Sequence, residues 1–243
     1  MEQLVVFVFG LALGSTINVI VSRFGNLGSF LTGRSVCDYC GRRLRAWQLI
    51  PLIGFALQRG RCRFCHKAIP WRYSVVELLT GLVALGLYQG LTVEYVLALL
   101  FFSVFIIISL IDADTLTIPD SLLALSGAIA GATMVVVGSD FRTIVLGMLA
   151  GLAIPALFVL PTKAKIMGIG DVKLGGVMGL MLGFPGVLLA FWVAFVVGGL
   201  VSLALIAAGR KKLKDQVAFG PFLAFGTFIA YRFGSELLNY VTF

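Results

Sequence analysis

Eight apolar stretches, interrupted by glycine, proline and charged residues, take up most of this 243-residue chain, at roughly 4–22, 74–91, 94–111, 120–138, 142–160, 166–184, 186–208 and 220–240. A helix needs about 20 apolar residues to cross a hydrocarbon core, and these stretches approach that length. With 60% hydrophobic and 12% charged residues, and a mean hydropathy of +1.05, the chain lacks the polar surface to cover a water-soluble globule of its size. The expected fold is therefore an all-α polytopic membrane protein of about eight transmembrane helices. The stretch 166–184 is the shortest unless the segment from Gly168 to Asp171 is counted in it. The first run, Leu4 to Val21, lacks the basic segment of a signal peptide, since Glu2 is the only early charge, and reads as a retained first span.

The placement of positive charge orients these spans. All but Arg142 and Arg232 of the 19 lysines and arginines fall in loops that lie on one side of the membrane if there are eight crossings. The loop 23–73 holds Arg23, Arg34, Arg42, Arg43, Arg45, Arg59, Arg61, Arg63, Lys67 and Arg72. The loop after the fifth span adds Lys163, Lys165 and Lys173, and the loop after the seventh adds Arg210, Lys211, Lys212 and Lys214. The positive-inside rule makes that side cytoplasmic and puts both termini outside. The net charge of +8 then reads as a topology signal beside anionic lipid, not as a nucleic-acid surface. The expected organisation is a first transmembrane helix (1–22), a cytoplasmic loop (23–73) and a seven-helix membrane core (74–243).

All four cysteines lie in that loop, as Cys37-x2-Cys40 and Cys62-x2-Cys65. Two such knuckles present four thiolates to one tetrahedral zinc, with a gap close to that of zinc ribbons, and Gly41 and Gly60 suit the tight turns required. Disulfides fit poorly in a reducing cytoplasm. The run Cys62-Arg63-Phe64-Cys65-His66 also matches a c-type haem attachment motif, but that chemistry belongs to the outer side and leaves the first pair unexplained. His66, the only histidine, reads as a solvated loop residue, because four sulfurs complete the site. Such a closed site organises a small loop and does no chemistry itself.

Two aspartates stand at the edges of apolar stretches: Asp112, in Asp112-x-Asp114-x3-Ile118-Pro119, and Asp171, in Gly168-x-Gly170-Asp171-x-Lys173. Acids at bilayer depth are costly, by roughly 2.5–3.5 kcal/mol on insertion scales, and mark function. In the eight-span topology both face the cytoplasm at similar depth. Two carboxylates about 3 Å apart share one proton, so that one can take a proton from water while the other polarises a peptide carbonyl. No Ser-His or Cys-His arrangement and no His-Glu-x-x-His competes. Gly168 and Gly170 relieve the backbone of side-chain bulk before Asp171, and Gly175, Gly179 and Gly183 follow at four-residue intervals along one helix face. That stripe is expected to bring the helix bearing Asp112 up to Asp171; plain glycine-mediated packing, as for Gly10, Gly14 and Asn18 in the first span, is the alternative. Pro119 stops the helix after Asp112, and Asp120 is placed to cap the next one. Asp114, two residues from Asp112, points to another side of the helix. Asp112 is preferred because it adjoins the apolar run Val104 to Ile111.

Taken together, these residues resemble the type IV prepilin leader peptidases, a family of Gly-x-Gly-Asp intramembrane aspartyl proteases. The likeness spans nearly the whole chain: Gly14-Ser15-x2-Asn18-Val19-Ile20, Arg34-Ser35-x-Cys37-x2-Cys40, Gly60-Arg61-Cys62-x2-Cys65, Arg72-Tyr73-x3-Glu77, Asp112-x5-Ile118-Pro119-Asp120 and Gly168-x-Gly170-Asp171-x-Lys173. It implies Asp112 and Asp171 as the catalytic pair, with Gly168, Gly170 and Lys173 in support. The implied substrate is a type IV prepilin or pseudopilin, whose basic leader is cut at the cytoplasmic face of the bacterial inner membrane. Many members also methylate the new N-terminus with S-adenosylmethionine, although no cofactor loop is visible in this sequence. The family often has Pro where this chain has Asp38, and Asn-Ile-Pro where it has Leu49-Ile50-Pro51. Glu77 is expected to pair with Arg72, to orient the loop or to meet the leader's positive charge. Rival readings are an ion- or proton-coupled transporter using the buried aspartates, and a membrane scaffold displaying a zinc ribbon.

Overall fold

A computed structural model describes the chain apart from residues 25–34, 38, 163–166, 213–214 and 242–243; Arg34, Asp38, Lys163, Lys165 and Lys214 lie outside the described residues. Two compact units divide it, Met1–Gln89 and Gly90–Phe243. Regular structure among the described residues is helical, with two isolated β-bridges in the cysteine loop.

In Met1–Gln89, α1 (Glu2–Ser22) packs along α3 (Arg72–Leu87), and a short α2 (Ile53–Leu57) lies in the loop between them. Glycine sets the approach of α1 to α3. A methyl group on Gly10 would sit 2.7 Å from Ala84 Cβ, and one on Gly14 would sit 2.6 Å from Glu77 Cα. Two backbones can come this close only where no side chain separates them, so in this first span glycine is a packing device.

In Gly90–Phe243 the order is α4 (Val93–Thr115), α5 (Asp120–Val137), α6 (Phe141–Thr162), α7 (Ile169–Leu182), α8 (Gly186–Ala207) and α9 (Gly220–Val241). Helix α4 packs against α5 and α9 and supplies much of the core through Phe101, Phe105 and Ile108, all nearly inaccessible. Leu116, in a left-handed conformation (φ 54°), ends α4 by donating its N–H to Asp112 O. Pro119 then begins α5, where its missing N–H costs no helical hydrogen bond. Asp120 makes no side-chain cap there. Instead Lys173 Nζ reaches it from α7 at 2.6 Å, so the expected capping role gives way to an exposed ion pair.

Five helices among the described residues are long and apolar enough to cross a membrane: α1, α4, α5, α6 as far as Pro161, and α8. The count of eight is not reached by this measure. Helices α3 and α7 have 16 and 14 residues, which at 1.5 Å per residue makes them roughly 24 and 21 Å long against a hydrocarbon core of about 30 Å.

The glycine stripe of α7 corrects one expectation. Gly175 and Gly179 lie against the backbone carbonyls of Gly151 and Gly147 on α6, close enough that neither has room for a methyl group. The stripe therefore seats α7 on α6, not on the helix that carries Asp112. Both helices contribute glycine at the crossing, and this close packing is a property of the pair that neither half shows alone.

Candidate active site and metal centre

Asp112 occupies the last turns of α4 and is 5% exposed, while Asp171 occupies the first turn of α7 and is 7% exposed. Asp114 is exposed, so the structure separates the two neighbouring acids: one faces the interior and the other does not.

Each carboxylate is held by a backbone N–H at a helix start. Gly168, at the N-cap of α7, donates to Asp171 Oδ2 at 3.0 Å, the reach-back of a third-position acid to the capping residue. Gly220, the first residue of α9, donates to Asp112 Oδ2 at 2.8 Å. The positive end of a helix macrodipole favours a carboxylate in both places. A methyl group on Gly220 would lie 2.8 Å from that same Oδ2, so bare backbone is what lets α9 approach Asp112.

The two aspartate motifs interlock through Ile118. A methyl group on Gly170 would lie 3.0 Å from Ile118 Cβ, so the residue before Asp171 must be small for the turn after Asp112 to fit against it. Gly168 has ordinary extended dihedrals, and its part is the N–H it donates. Lys173, half exposed, points to Asp120 and ties the start of α7 to that of α5. Gly220 escaped the sequence reading. Its one signal is Gly220-Pro221 at the mouth of an apolar run, a helix start whose spatial partner cannot be read from sequence.

In the other unit the four cysteines converge. Their sulfurs all lie within 4.8 Å of one another, with Cys37 Sγ and Cys65 Sγ 3.9 Å apart. Four sulfurs at about 2.3 Å from a tetrahedral zinc stand roughly 3.8 Å from each other, whereas a disulfide would need about 2.05 Å. The thiols are free. The knuckles are structural twins: Cys37 N–H donates to Arg42 O and Cys62 N–H to Lys67 O, both at 2.9 Å, and the bridges Val36–Arg43 and Arg61–Ala68 close each loop. The left-handed residue after the second cysteine is Gly41 in one knuckle and His66 in the other (φ 66° and 56°). His66 is exposed and serves as a turn residue. Backbone N–H groups of Cys65 and Phe64 hold the Cys62 thiol down, whereas burial and the neighbouring sulfurs push the Cys65 thiol up, so that the four sulfurs titrate together and not as four separate thiols.

Between α1, α3 and this loop lies a half-open cavity of about 320 Å³, lined by Ser15, Asn18, Gln48, Tyr73 and Glu77 among others. Glu77 is 9% exposed and accepts a hydrogen bond from Leu52 N–H at 2.9 Å, and one from the Ser15 hydroxyl. Through the Leu52 N–H it ties the loop to α3.

With both sites described, the chain can be compared with known proteins. Residues 8–91 match the bacterial peptidase A24 N-terminal domain, and residues 99–203 match the type IV leader peptidase family. A prepilin leader peptidase/N-methyltransferase of Bacillus subtilis is 30% identical over 239 residues, covering 97% of this chain and 96% of that protein. The chain belongs to the type IV leader peptidase family. Family members of the same description in Legionella pneumophila (98% of this chain, 93% of that one) and Burkholderia pseudomallei (97% and 86%) are each 31% identical over 268 aligned residues. No solved structure matches the chain. The boundary between the two family models falls between the two compact units, so the aspartate pair lies in the peptidase-family part and the cysteine centre in the amino-terminal one.

Proposed function

We propose that this chain is a membrane-embedded aspartyl endopeptidase that removes the basic leader of a type IV prepilin or pseudopilin and methylates the new N-terminus. The observation that carries the first activity is that Asp112 and Asp171, 59 positions apart in sequence, are both buried and each held by one glycine N–H, with their two motifs in contact where Ile118 lies against Gly170. With one oxygen of each carboxylate held in this way, the others are left to the reaction. One carboxylate takes a proton from the attacking water while its protonated partner polarises the scissile carbonyl. The pair titrates as a unit, and its values belong to neither residue alone. Gly168, Gly170 and Gly220 position the pair, and Lys173 supports the motif from the surface through Asp120.

The proposed metal is one structural zinc, held by Cys37, Cys40, Cys62 and Cys65, which fixes a loop with few core residues of its own. The methyl donor is S-adenosylmethionine, which supplies an electrophilic methyl group when bound. The cavity of the amino-terminal unit falls in the usual size class of small-molecule sites, about 300–1,000 Å³, and sets polar groups such as Ser15, Asn18 and Gln48 among apolar ones such as Val19, Leu44 and Phe55. The membrane reading is eight crossings, with the loop 23–73 and the aspartate pair cytoplasmic and both termini outside, in a bacterial inner membrane. The short α3 and α7 cross by virtue of apolar flanks and bundle packing. No observation favours the transport reading: among the described residues of Gly90–Phe243 the buried carboxylates are the two at the candidate site.

The test is co-expression with a type IV prepilin, comparing wild type with Asp112→Asn and Asp171→Asn and reading the pilin's size and N-terminal sequence. Each single change should abolish leader removal while the protein still accumulates. Cleavage that survives either change would reject the pair.

A further inference from the structure

The segment 46–57 is sorted inside out. A 3-10 turn (Ala46–Leu49) and α2 fold into an elbow whose polar groups bond to one another. Gln48, 7% exposed, donates to Gln58 Oε1 at 2.9 Å, Gln58 Nε2 donates to Gly54 O at 2.8 Å, and Arg45 N–H donates to Gln48 Oε1 at 2.8 Å. Gly54 lies so close to the Gln48 backbone that a methyl group has no room, which holds the two arms of the elbow together. The apolar side chains face outward instead. Ile53 and Leu57, one turn apart on α2, are 54% and 65% exposed, and Ala56 is exposed between them; none of the three lines the cavity. In water this sorting is unfavourable, since it hydrates aliphatic groups while taking amides out of solvent. It fits an element with an apolar medium on its outer side.

The elbow also sits at the depth where such a medium begins. Trp71, 72% exposed at the N-cap of α3, has the amphipathic ring typical of a membrane–water boundary. Exposed leucines Leu78, Leu79 and Leu82 follow further along the same helix. Glu77 stands between, six residues or about 9 Å along the axis from Trp71, and accepts the Leu52 N–H at 2.9 Å. Asn18 of α1 ties in at the same level by donating to Tyr73 O at 3.0 Å. The start of α2 is thus fastened within the first two turns of α3, not held off in the cytosol. Amphipathic elements at a membrane surface bury their apolar face about 5–10 Å into the headgroup and acyl boundary.

Charge selects the lipid. Between Asp38 and Glu77 the sequence holds eight lysines and arginines and no acid, and Arg45 and Arg59, both exposed, flank the two arms of the elbow. Basic residues beside an apolar interfacial face attract anionic headgroups.

We propose that the elbow 46–57 is an interfacial anchor: Ile53, Ala56 and Leu57 enter the leaflet from which α1 and α3 emerge, and Arg45 and Arg59 meet anionic phospholipid. This rests on the membrane reading given above, in which both helices cross. The anchor accounts for a small loop that keeps its aliphatic side chains outward, and it holds the cysteine centre against the membrane surface.

The test places an environment-sensitive fluorescent amino acid at Leu57, at Ile53 or at Leu82 of the full-length protein, in nanodiscs loaded with one copy each and with nitroxide on the acyl chains. Leu82 reports on the span itself. Bound metal should be the same for all three probes, which checks that the loop is folded. The Leu57 and Ile53 probes should lose at least about half of their emission to the nitroxide before any prepilin is added, as expected of side chains at the acyl boundary. Adding phosphatidylglycerol to neutral discs should increase this quenching, and the double change Arg45→Gln, Arg59→Gln should remove the increase. Quenching at Leu82 with none at Leu57 and Ile53 overturns the anchor and leaves the membrane reading standing, whereas no quenching at Leu82 defeats both. Quenching at Leu57 that appears only once prepilin is added gives this face to the substrate and overturns the proposal. Equal quenching in neutral and anionic discs overturns the part assigned to Arg45 and Arg59.

Discussion

In Gly90–Phe243 two buried carboxylates remote in sequence are each held by a glycine N–H at a helix start, whereas in Met1–Gln89 a single carboxylate, Glu77, holds a left-handed turn in the lining of a cavity. A pair can divide one proton and so act as acid and base together. A single buried acid cannot divide a proton in that way, and what Glu77 does here is accept the Leu52 N–H. The two units also get their order differently. The first unit gathers a loop around four sulfurs, while the second interlocks helices through glycines and a core of aromatic and aliphatic side chains. Two chemistries can therefore share one chain without sharing a residue.

The strongest way to break this comparison is to remove one member of the pair. Asp112→Asn or Asp171→Asn should lower leader cleavage by about 10³-fold or more, the scale of losing a general acid or base, while donor binding to the other unit stays within measurement error in a titration. Loss of both properties together would mean that the units are not chemically separate.

Stripping the metal is the complementary cut. Cys62→Ser or chelation should remove about one equivalent of zinc by metal analysis, since structural sites of this class supply on the order of 10 kcal/mol of local folding energy. Donor affinity should collapse, and the loop 35–70 should become sensitive to protease. Prepilin cleavage should fall much less.

Gly220→Ala sharpens the account of the pair. The added methyl would press on Asp112 Oδ2, and misplacement of a reacting group by about 1 Å costs on the order of 10²-fold. The loss should appear in kcat with KM for prepilin little changed, whereas a general folding defect would lower accumulation of the protein instead. The smallest effect belongs to Lys173→Met. An exposed ion pair is worth about 0.2–1 kcal/mol, so thermal stability should shift slightly and cleavage should stay within about fivefold. A much larger loss of cleavage would assign Lys173 a part in the chemistry beyond its contact with Asp120.

Much of this could be read before any fold was known, because the signals are local. Apolar stretch length and the break at Pro119 foretold the helices, although the lengths of α3 and α7 fall short of a full crossing. Cys37, Cys40, Cys62 and Cys65 announced a four-sulfur centre because knuckle spacing is a short-range property, and Asp112, beside the apolar run, is buried where Asp114 is exposed. The glycine stripe misled. Its spacing showed that a helix would come close, but not which one, and the partner was α6 through Gly147 and Gly151. Asp120 looked like a cap because it opens a helix, yet the cation on a neighbouring helix took it.

The sequence by itself determined the helical class, the apolar character and the chemical types gathered in each motif, since hydropathy, turn residues and ligand spacing act over a few positions of chain. Only the tertiary structure decided that Gly220 would hand its N–H to Asp112, that Ile118 would rest on Gly170, that His66 would take the place in its knuckle that Gly41 takes in the other, and that Glu77 would fasten Leu52 in the lining of a cavity. Each of these joins elements or turns whose meeting depends on which faces pack together, and packing is a property of the whole assembled set of side chains, not of any window of sequence.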